Sequence, residues 1–491
     1  MIIANNSDQQ TPQFRVLSDQ QCDQIFLATL ECLKRIGVRI QNDDARVLLA
    51  AAGADVEGDQ VRIPAHIIQA AIASTPRTFT IWGRDGQYEM RISPDRVHFG
   101  PGPSCTYFID PLNGERRRAR RGDAGQTAMV CDALPNIDYA MGLSLFDDVT
   151  PVLSPVYEFA EMLANTTKPL IAWANTPETL EDIYNIALTA SGSETSLRRK
   201  PTFAFFTTYE SPLRLANAPV ANLLWAAEHD IPVICLGGPT VGLESPFSGA
   251  SALVMHLASV LSALAIVQLK KRGAPMVIGG VPSVMDLRTA RPAYGSPEMS
   301  LHSAAAVDVA RHLGIPFMGT AGASESKGID AQAGAEAAVQ VLMSALSGAA
   351  LVHDVGFLDC ADIGSLSYLI LTDELISMVA RIMRGIRVNS ETIMLDLLEK
   401  VGSDGTFISE PRSVALCRSE AWVPSVLDRN AYTTWEKKGG KRTDQALVEK
   451  LNKIIANHQT APLPAGAAEK IDSILSAAEA REQRHQADAA N

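Results

Sequence analysis

From residue 96 onward, short apolar runs alternate with longer stretches in which apolar residues recur every three or four positions. The runs are "RVHFGPG" (96–102), "DYAMGLS" (138–144), "PLIAWAN" (169–175), "TFAFFTTYE" (202–210), "PVICLGG" (232–238), "PMVIGG" (275–280), "PFMGTAG" (316–322) and "ALVHDVG" (350–356). Helical periodicity fills the gaps, at about 122–134, 153–166, 177–190, 215–229, 247–272, 297–313, 330–347 and 364–384. Strands that alternate with helices pair in parallel through crossovers. Eight such units in roughly 300 residues match the count and size of a (β/α)8 barrel. An open doubly wound sheet has the same alternation and differs only in strand order.

The chain before residue 96 reads differently. "SDQQ" at 18–21 is a capping box that starts a helix, with Phe26, Leu30 and Leu33 on one face and Gly37 as its stop. Short helices are predicted near 43–52 and 64–74, and "TFTIWG" with "GQYEMRI" forms a hairpin across Arg84, Asp85 and Gly86. The predicted organisation is a flexible N-terminus (1–17), a helical and hairpin cap (18–95), an α/β TIM barrel (96–386), a C-terminal helical extension (387–477) and a polar tail (478–491) that is frayed or weakly helical.

Composition narrows the function. The net charge of −12 argues against a nucleic-acid binder, which needs a basic surface. No apolar run is expected to reach the roughly 20 residues that span a bilayer, and the start lacks signal-peptide regions. The seven cysteines are scattered, with no CxxC pair, as expected of buried thiols in a reducing cytoplasm.

A barrel places its chemistry at the C-terminal ends of its strands. Those ends hold His353 and Asp354, which would face a shared cavity. They are rich in glycine, including Gly100, Gly102, Gly319 and Gly322, which leaves open volume beside a ligand or cofactor. Tyr107, Trp173, Tyr209 and Phe357 come from four different predicted strands, and rings so placed can surround a quaternary ammonium. Each has a plainer reading as a core aromatic, and His353 as a core histidine bound to a carbonyl. Arg288 suits a carboxylate, or a loop salt bridge. Lys327 could form a Schiff base, but lies beyond its strand. The basic run "RRRARR" (116–121) reads as a solvated loop, with docking of an acidic partner as the alternative. The Walker A pattern, GxGxxG after a strand and HExxH are absent, so no metal site is expected.

Several long phrases, in order, resemble the trimethylamine methyltransferase family: "RIPAHIIQAAIASTPRTFTIWGRDG" (62–86), "VHFGPG" (97–102), "DALPNIDY" (132–139), "RPAYGSPE" (291–298), "ESKGIDAQAGAEAA" (325–338), "LVHDVGFLD" (351–359) and "WVPSVLDRNAYTTWE" (422–436). The resemblance is to the branch without pyrrolysine that acts on quaternary amines such as glycine betaine. It implies a (β/α)8 barrel and methyl transfer to the cobalamin cobalt of a separate corrinoid protein, with no tightly bound cofactor. Glycine betaine is the first substrate; carnitine, proline betaine, a Schiff-base aldolase and a non-catalytic betaine binder are the alternatives. "GTAGASES" (319–326) is the region that corresponds to pyrrolysine in trimethylamine members. Where relatives carry histidines, this chain has Glu410, Pro411 and Arg412. A cytoplasmic homo-oligomer is expected.

Overall fold

The computed structural model describes residues 1–5 and 11–489. Seven short parallel strands form the barrel wall: β1 (Arg96–Phe99), β2 (Leu170–Ala172), β3 (Phe203–Thr208), β4 (Val233–Leu236), β5 (Met276–Gly279), β6 (Phe317–Thr320) and β7 (Leu351–His353). β2 to β7 pair in chain order, and β7 pairs with β1. The eighth stave is the segment at 138–142, within the run 138–144 predicted as a strand, and joined by a few backbone bonds rather than a full ladder. Asp138 N donates to the Phe99 carbonyl at 2.7 Å, and Ala140 N to that of Pro169 at 3.0 Å. The ring is thereby closed, and the open-sheet alternative falls away.

The helices lie within a residue or two of their predicted ranges because their caps are local. Ser18 and Gln21 cap each other around Asp19–Arg35, Asp330 caps Ala331–Ser347 and Ser365 caps Leu366–Met383. The predicted hairpin, Phe79–Trp82 with Glu89–Ile92, forms as read. Its Ile81, Met90 and Ile92 pack with the inward side chains Tyr139, Met141, Ile171, Ala204, Ile234, Val277, Met318 and Leu351. Trp82 N donates to the Pro201 carbonyl and Arg84 N to that of Thr167, both just ahead of barrel strands. The hairpin therefore stoppers the N-terminal end, and the interior opens only at the C-terminal end.

Three expectations need correction. Ile2–Ile3 is not frayed but pairs antiparallel with Arg96–Val97, and Val16 and Leu17 donate to buried Asp308; residues 6–10 lie outside the described residues. The polar tail continues the helix Ala467–Ala489, where Arg481 pairs with Asp182. The helix Gly249–Lys270 does reach membrane-spanning length and apolarity, with a mean hydropathy of 2.1. Most of it is buried within the molecule, which explains its composition without a bilayer.

Two elements at the mouth escaped the sequence. One is a four-stranded sheet of Tyr107–Ile109, Arg116–Arg118, Phe357–Leu358 and Ile363–Gly364. The other is a small hairpin, Met285–Asp286 with Arg291–Pro292. The basic run is part of the first rather than a solvated loop. Arg117 pairs with Asp110 and Asp123, while the Arg116 and Arg118 guanidinium groups lie 3.2 and 4.8 Å from the Tyr107 ring centroid.

Candidate active site

A cavity of about 310 Å³ occupies the open end of the barrel, within the size range of small-molecule sites. The inward alternation of β3 presents Phe206 and Thr208, and β4 contributes Leu236. Beyond β4 and β5 the wall is mostly backbone and small side chains: Gly237, Gly238, Thr240, Gly280 and Ser283. Tyr294 and Met299 close the outer side from the segment that follows the 285–292 hairpin.

His353 and Asp354 form the far wall with Thr320. His353 Nδ1 lies 2.6 Å from Asp354 Oδ1, and its Nε2 lies 3.0 Å from Thr320 Oγ1. Thr320 anchors the ring through Nε2, while Nδ1 stands against the Asp354 carboxylate without the geometry of a hydrogen bond. Phe206 meets it edge-on, with ring centroids 6.2 Å apart. Asp354 reaches this position through a left-handed backbone, φ 74°. Few non-glycine residues adopt that conformation, and it recurs at sites where the surrounding structure imposes it. Gly102 lets the carboxylate in, because a Cβ there would overlap both the Asp354 carboxylate and the Phe357 ring. The Tyr294 hydroxyl is pushed well above the usual phenol range, first by burial and then by the Asp354 charge.

The anticipated ring of four aromatics does not assemble. Phe357 is fully buried against Gly102, and Tyr209 is buried with its hydroxyl 3.0 Å from His256 Nδ1. Tyr107 is covered by arginines in the outer sheet. Trp173 stands at the end of β2, where its indole N–H donates to both oxygens of Glu158 at 3.2 Å. Arg288 does not enter the cavity: its side chain is 91% exposed, 3.6 Å from Asp286. The anticipated glycines are also not the ones beside the open volume. Gly100 packs on Tyr139, Gly319 near Ser303 and Ala349, and Gly322 against Thr372 and Val355. Lys327 is a surface residue 3.3 Å from Asp359, and no lysine lines the cavity, so the aldolase alternative has no nucleophile there.

Phe206, Thr208, Tyr294 and Met299 were the residues overlooked. Strand alternation in "TFAFFTTYE" puts Ala204, Phe206 and Thr208 on one face, a signal that was available. Tyr294 sat within the family-like phrase "RPAYGSPE" without any sign that the segment folds back over the mouth.

The solved monomethylamine methyltransferase of Methanosarcina barkeri superposes over 91% of this chain and 89% of its own, with a TM-score of 0.54 at 12% identity, a likeness of fold alone. At the sequence level, a trimethylamine methyltransferase from Desulfitobacterium hafniense is 29% identical, covering 93% of this chain and 92% of the relative. A glycine betaine methyltransferase from the same species is 27% identical, covering 91% and 93%. The family model for trimethylamine methyltransferase matches residues 3–482, nearly the whole chain. This methyltransferase therefore belongs to the trimethylamine methyltransferase family.

Proposed function

We propose that the protein transfers a methyl group from a small quaternary amine to the Co(I) of a corrinoid carried by a separate cytoplasmic protein. One observation carries this reading. The cavity holds the Asp354 carboxylate beside the rings of Phe206 and Tyr294, with no lysine or arginine among its lining residues. That set suits a permanent cation: the ring faces attract it through their quadrupoles, and the carboxylate balances it. Hydroxyls of Ser104, Thr208, Thr240, Ser283 and Thr320 supply neutral polar contacts.

The chemistry needs little more. Loss of a methyl group turns a quaternary nitrogen into a neutral tertiary amine, which leaves without a proton. The protein must point one N–CH3 bond outward, hold the remaining groups and exclude water. His353, anchored by Thr320 beside the Asp354 carboxylate, serves that orientation rather than acting as a base. A full cage would oppose the reaction, because positive charge on nitrogen falls as the bond breaks. A cavity open on the mouth side fits that requirement. Leu243, Phe247 and Leu287 are exposed on loops beyond β4 and β5, apolar side chains that a docked corrinoid protein would cover.

Glycine betaine is the first substrate to test, since a relative of similar length bears that name. With Arg288 turned to solvent, its carboxylate would rest on hydroxyls and His353. The lack of a cationic side chain in the lining favours a second reading, a quaternary amine without a carboxylate. The decisive assay mixes the protein with reduced cobalamin and a panel of glycine betaine, carnitine, proline betaine, choline and trimethylamine, and follows Co(I) absorbance. Decay is expected with at least one quaternary amine. Decay with trimethylamine alone, or with none, overturns the reading.

Self-association belongs to the same proposal. Between residues 386 and 432 the side chains of Ile386, Val388, Leu395, Ile408 and Val423 are exposed, while Leu397 is the large apolar side chain buried there. A second copy of the chain would cover them.

A further inference from the structure

Glu158 has no assigned role, and its surroundings are unusual for a carboxyl. It sits on the helix Ser154–Asn165 with 1% exposure, and among the described residues no cationic side chain pairs with it. Its partners are neutral: the Trp173 indole N–H, shared between both oxygens at 3.2 Å, and the backbone of Gly142. A Cβ at Gly142 would collide with the carboxyl, so the glycine makes the room it occupies. Burial pushes the group up to about 8, only partly offset by the two N–H donors.

Trp173 links this carboxyl to the cavity. Ala172 of β2 pairs with Phe205 of β3, so Trp173 and Phe206 take the next positions on adjacent parallel strands and face the same way. Both pack on the cluster that fills the barrel interior, and Phe206 lines the cavity. The indole that binds the carboxyl thus lies on the same face as the wall residue Phe206, at the neighbouring position of the adjacent strand. An isolated buried carboxyl resists ionisation, and a cation brought close to it relieves that resistance.

We propose that Glu158 is a positioning residue with a second duty as a buried counter-charge: it fixes the Trp173 ring beside Phe206, and it releases a proton when a quaternary ammonium fills the cavity. The proposal rests on the quaternary-amine reading and adds to it a coupling between substrate charge and proton release. Other ionic groups do not supply that coupling. On the elements packed around Glu158 they are paired elsewhere: Arg121 with Glu161, Arg117 with Asp123 and Arg481 with Asp182, while Glu479 accepts from Tyr157 and Thr150. The titratable groups of the cavity itself are His353, Asp354 and Tyr294, so the test must separate Glu158 from these.

The sign follows from linkage. Binding that favours the ionised carboxyl releases a proton below the free-state midpoint. Affinity then rises with pH, by up to roughly tenfold per unit, and levels off above about 8. Isothermal titration of the full chain with glycine betaine and with tetramethylammonium, from pH 6 to 9 in two buffers of different ionisation enthalpy, reads both quantities. The neutral isostere 3,3-dimethyl-1-butanol is the control. The wild type is expected to release close to one proton at pH 7 with either cation and none with the alcohol. Glu158→Gln keeps an acceptor for the indole N–H, and should bind the cations with no Glu158-linked proton release and a flattened pH profile. Trp173→Phe removes a donor that favours the ionised form, and should move the midpoint upward. Cation binding without proton release, or a pH slope unchanged in Glu158→Gln, overturns the proposal and leaves the quaternary-amine reading intact. Failure of the wild type to bind any quaternary ammonium overturns both.

Discussion

His353 is anchored by a hydroxyl at Nε2 and lies with Nδ1 against a carboxylate, and that placement sets its consequence for activity. An imidazole so fixed orients a neighbour. His353→Ala should lower methyl transfer to reduced cobalamin by about tenfold or more, the scale of a lost positioning group. Unchanged turnover in a variant that melts like the wild type would make His353 structural. The residue was legible in advance because "ALVHD" runs an apolar strand into two polar residues at a strand end. The four aromatics were not, for a physical reason. A ring near a strand end points inward or outward according to alternation and loop path, and both choices bury apolar area. Phe357 and Tyr209 took the choice that fills core. Tyr107 lies on a strand outside the barrel, under two guanidinium groups.

At the scale of elements, the loops that leave β1 and β7 are shaped around each other. Gly102 admits the Asp354 carboxylate, and the 354–361 loop carries four non-glycine residues at positive φ: Asp354, Asp359, Cys360 and Ala361. Such backbone persists only where its surroundings enforce it. Arg291 Nη1 grips Asp359 Oδ1 at 3.1 Å, which ties the outer wall to this loop, and Tyr294 N donates to Glu325 Oε1 at 2.5 Å in the loop after β6. Gly102→Ala should therefore displace Asp354 and reduce transfer by about tenfold, with a smaller effect on the unfolding midpoint, measured by urea titration beside the activity assay. Equal activity would show that the carboxylate tolerates displacement. None of this loop geometry was readable from composition. Gly356 is left-handed too, but the other such positions are Asp, Cys and Ala rather than the glycines that signal such turns, and the strands of the outer sheet are only two or three residues long. The barrel strands and helices were readable, because each carries its own period and cap.

For the molecule as a whole, closure of the barrel depends on the weakest stave, at 138–142. There Asp138 Oδ2 accepts from Phe99 N at 3.1 Å and its Oδ1 from the Tyr88 hydroxyl at 2.6 Å. The same segment leads on to Gly142, and so to Glu158. The number of units was legible; strand order and closure at this stave were not, since the alternation of strand and helix is the same in an open sheet. The segment 386–432 sets a prediction at this scale. Sedimentation should give a mass above the 52.6 kDa of one chain, and Ile386→Asp with Ile408→Asp should shift it toward the monomer. A wild-type chain that sediments as a monomer at micromolar concentration would remove the self-association proposal.

The division of the cavity wall has a consequence for how such a scaffold diversifies. His353, Thr320 and Phe206 stand on barrel strands and Asp354 just past β7, whereas Tyr294 comes from the segment that crosses the mouth between β5 and β6, and Met299 from the first turn of the helix Pro297–Leu313 that follows it. Exchange of that one segment would thus alter one side of the cavity while the side carried by the strands stays in register. Chimeras that swap residues 284–299 among relatives would be the natural way to breed new specificities from this frame.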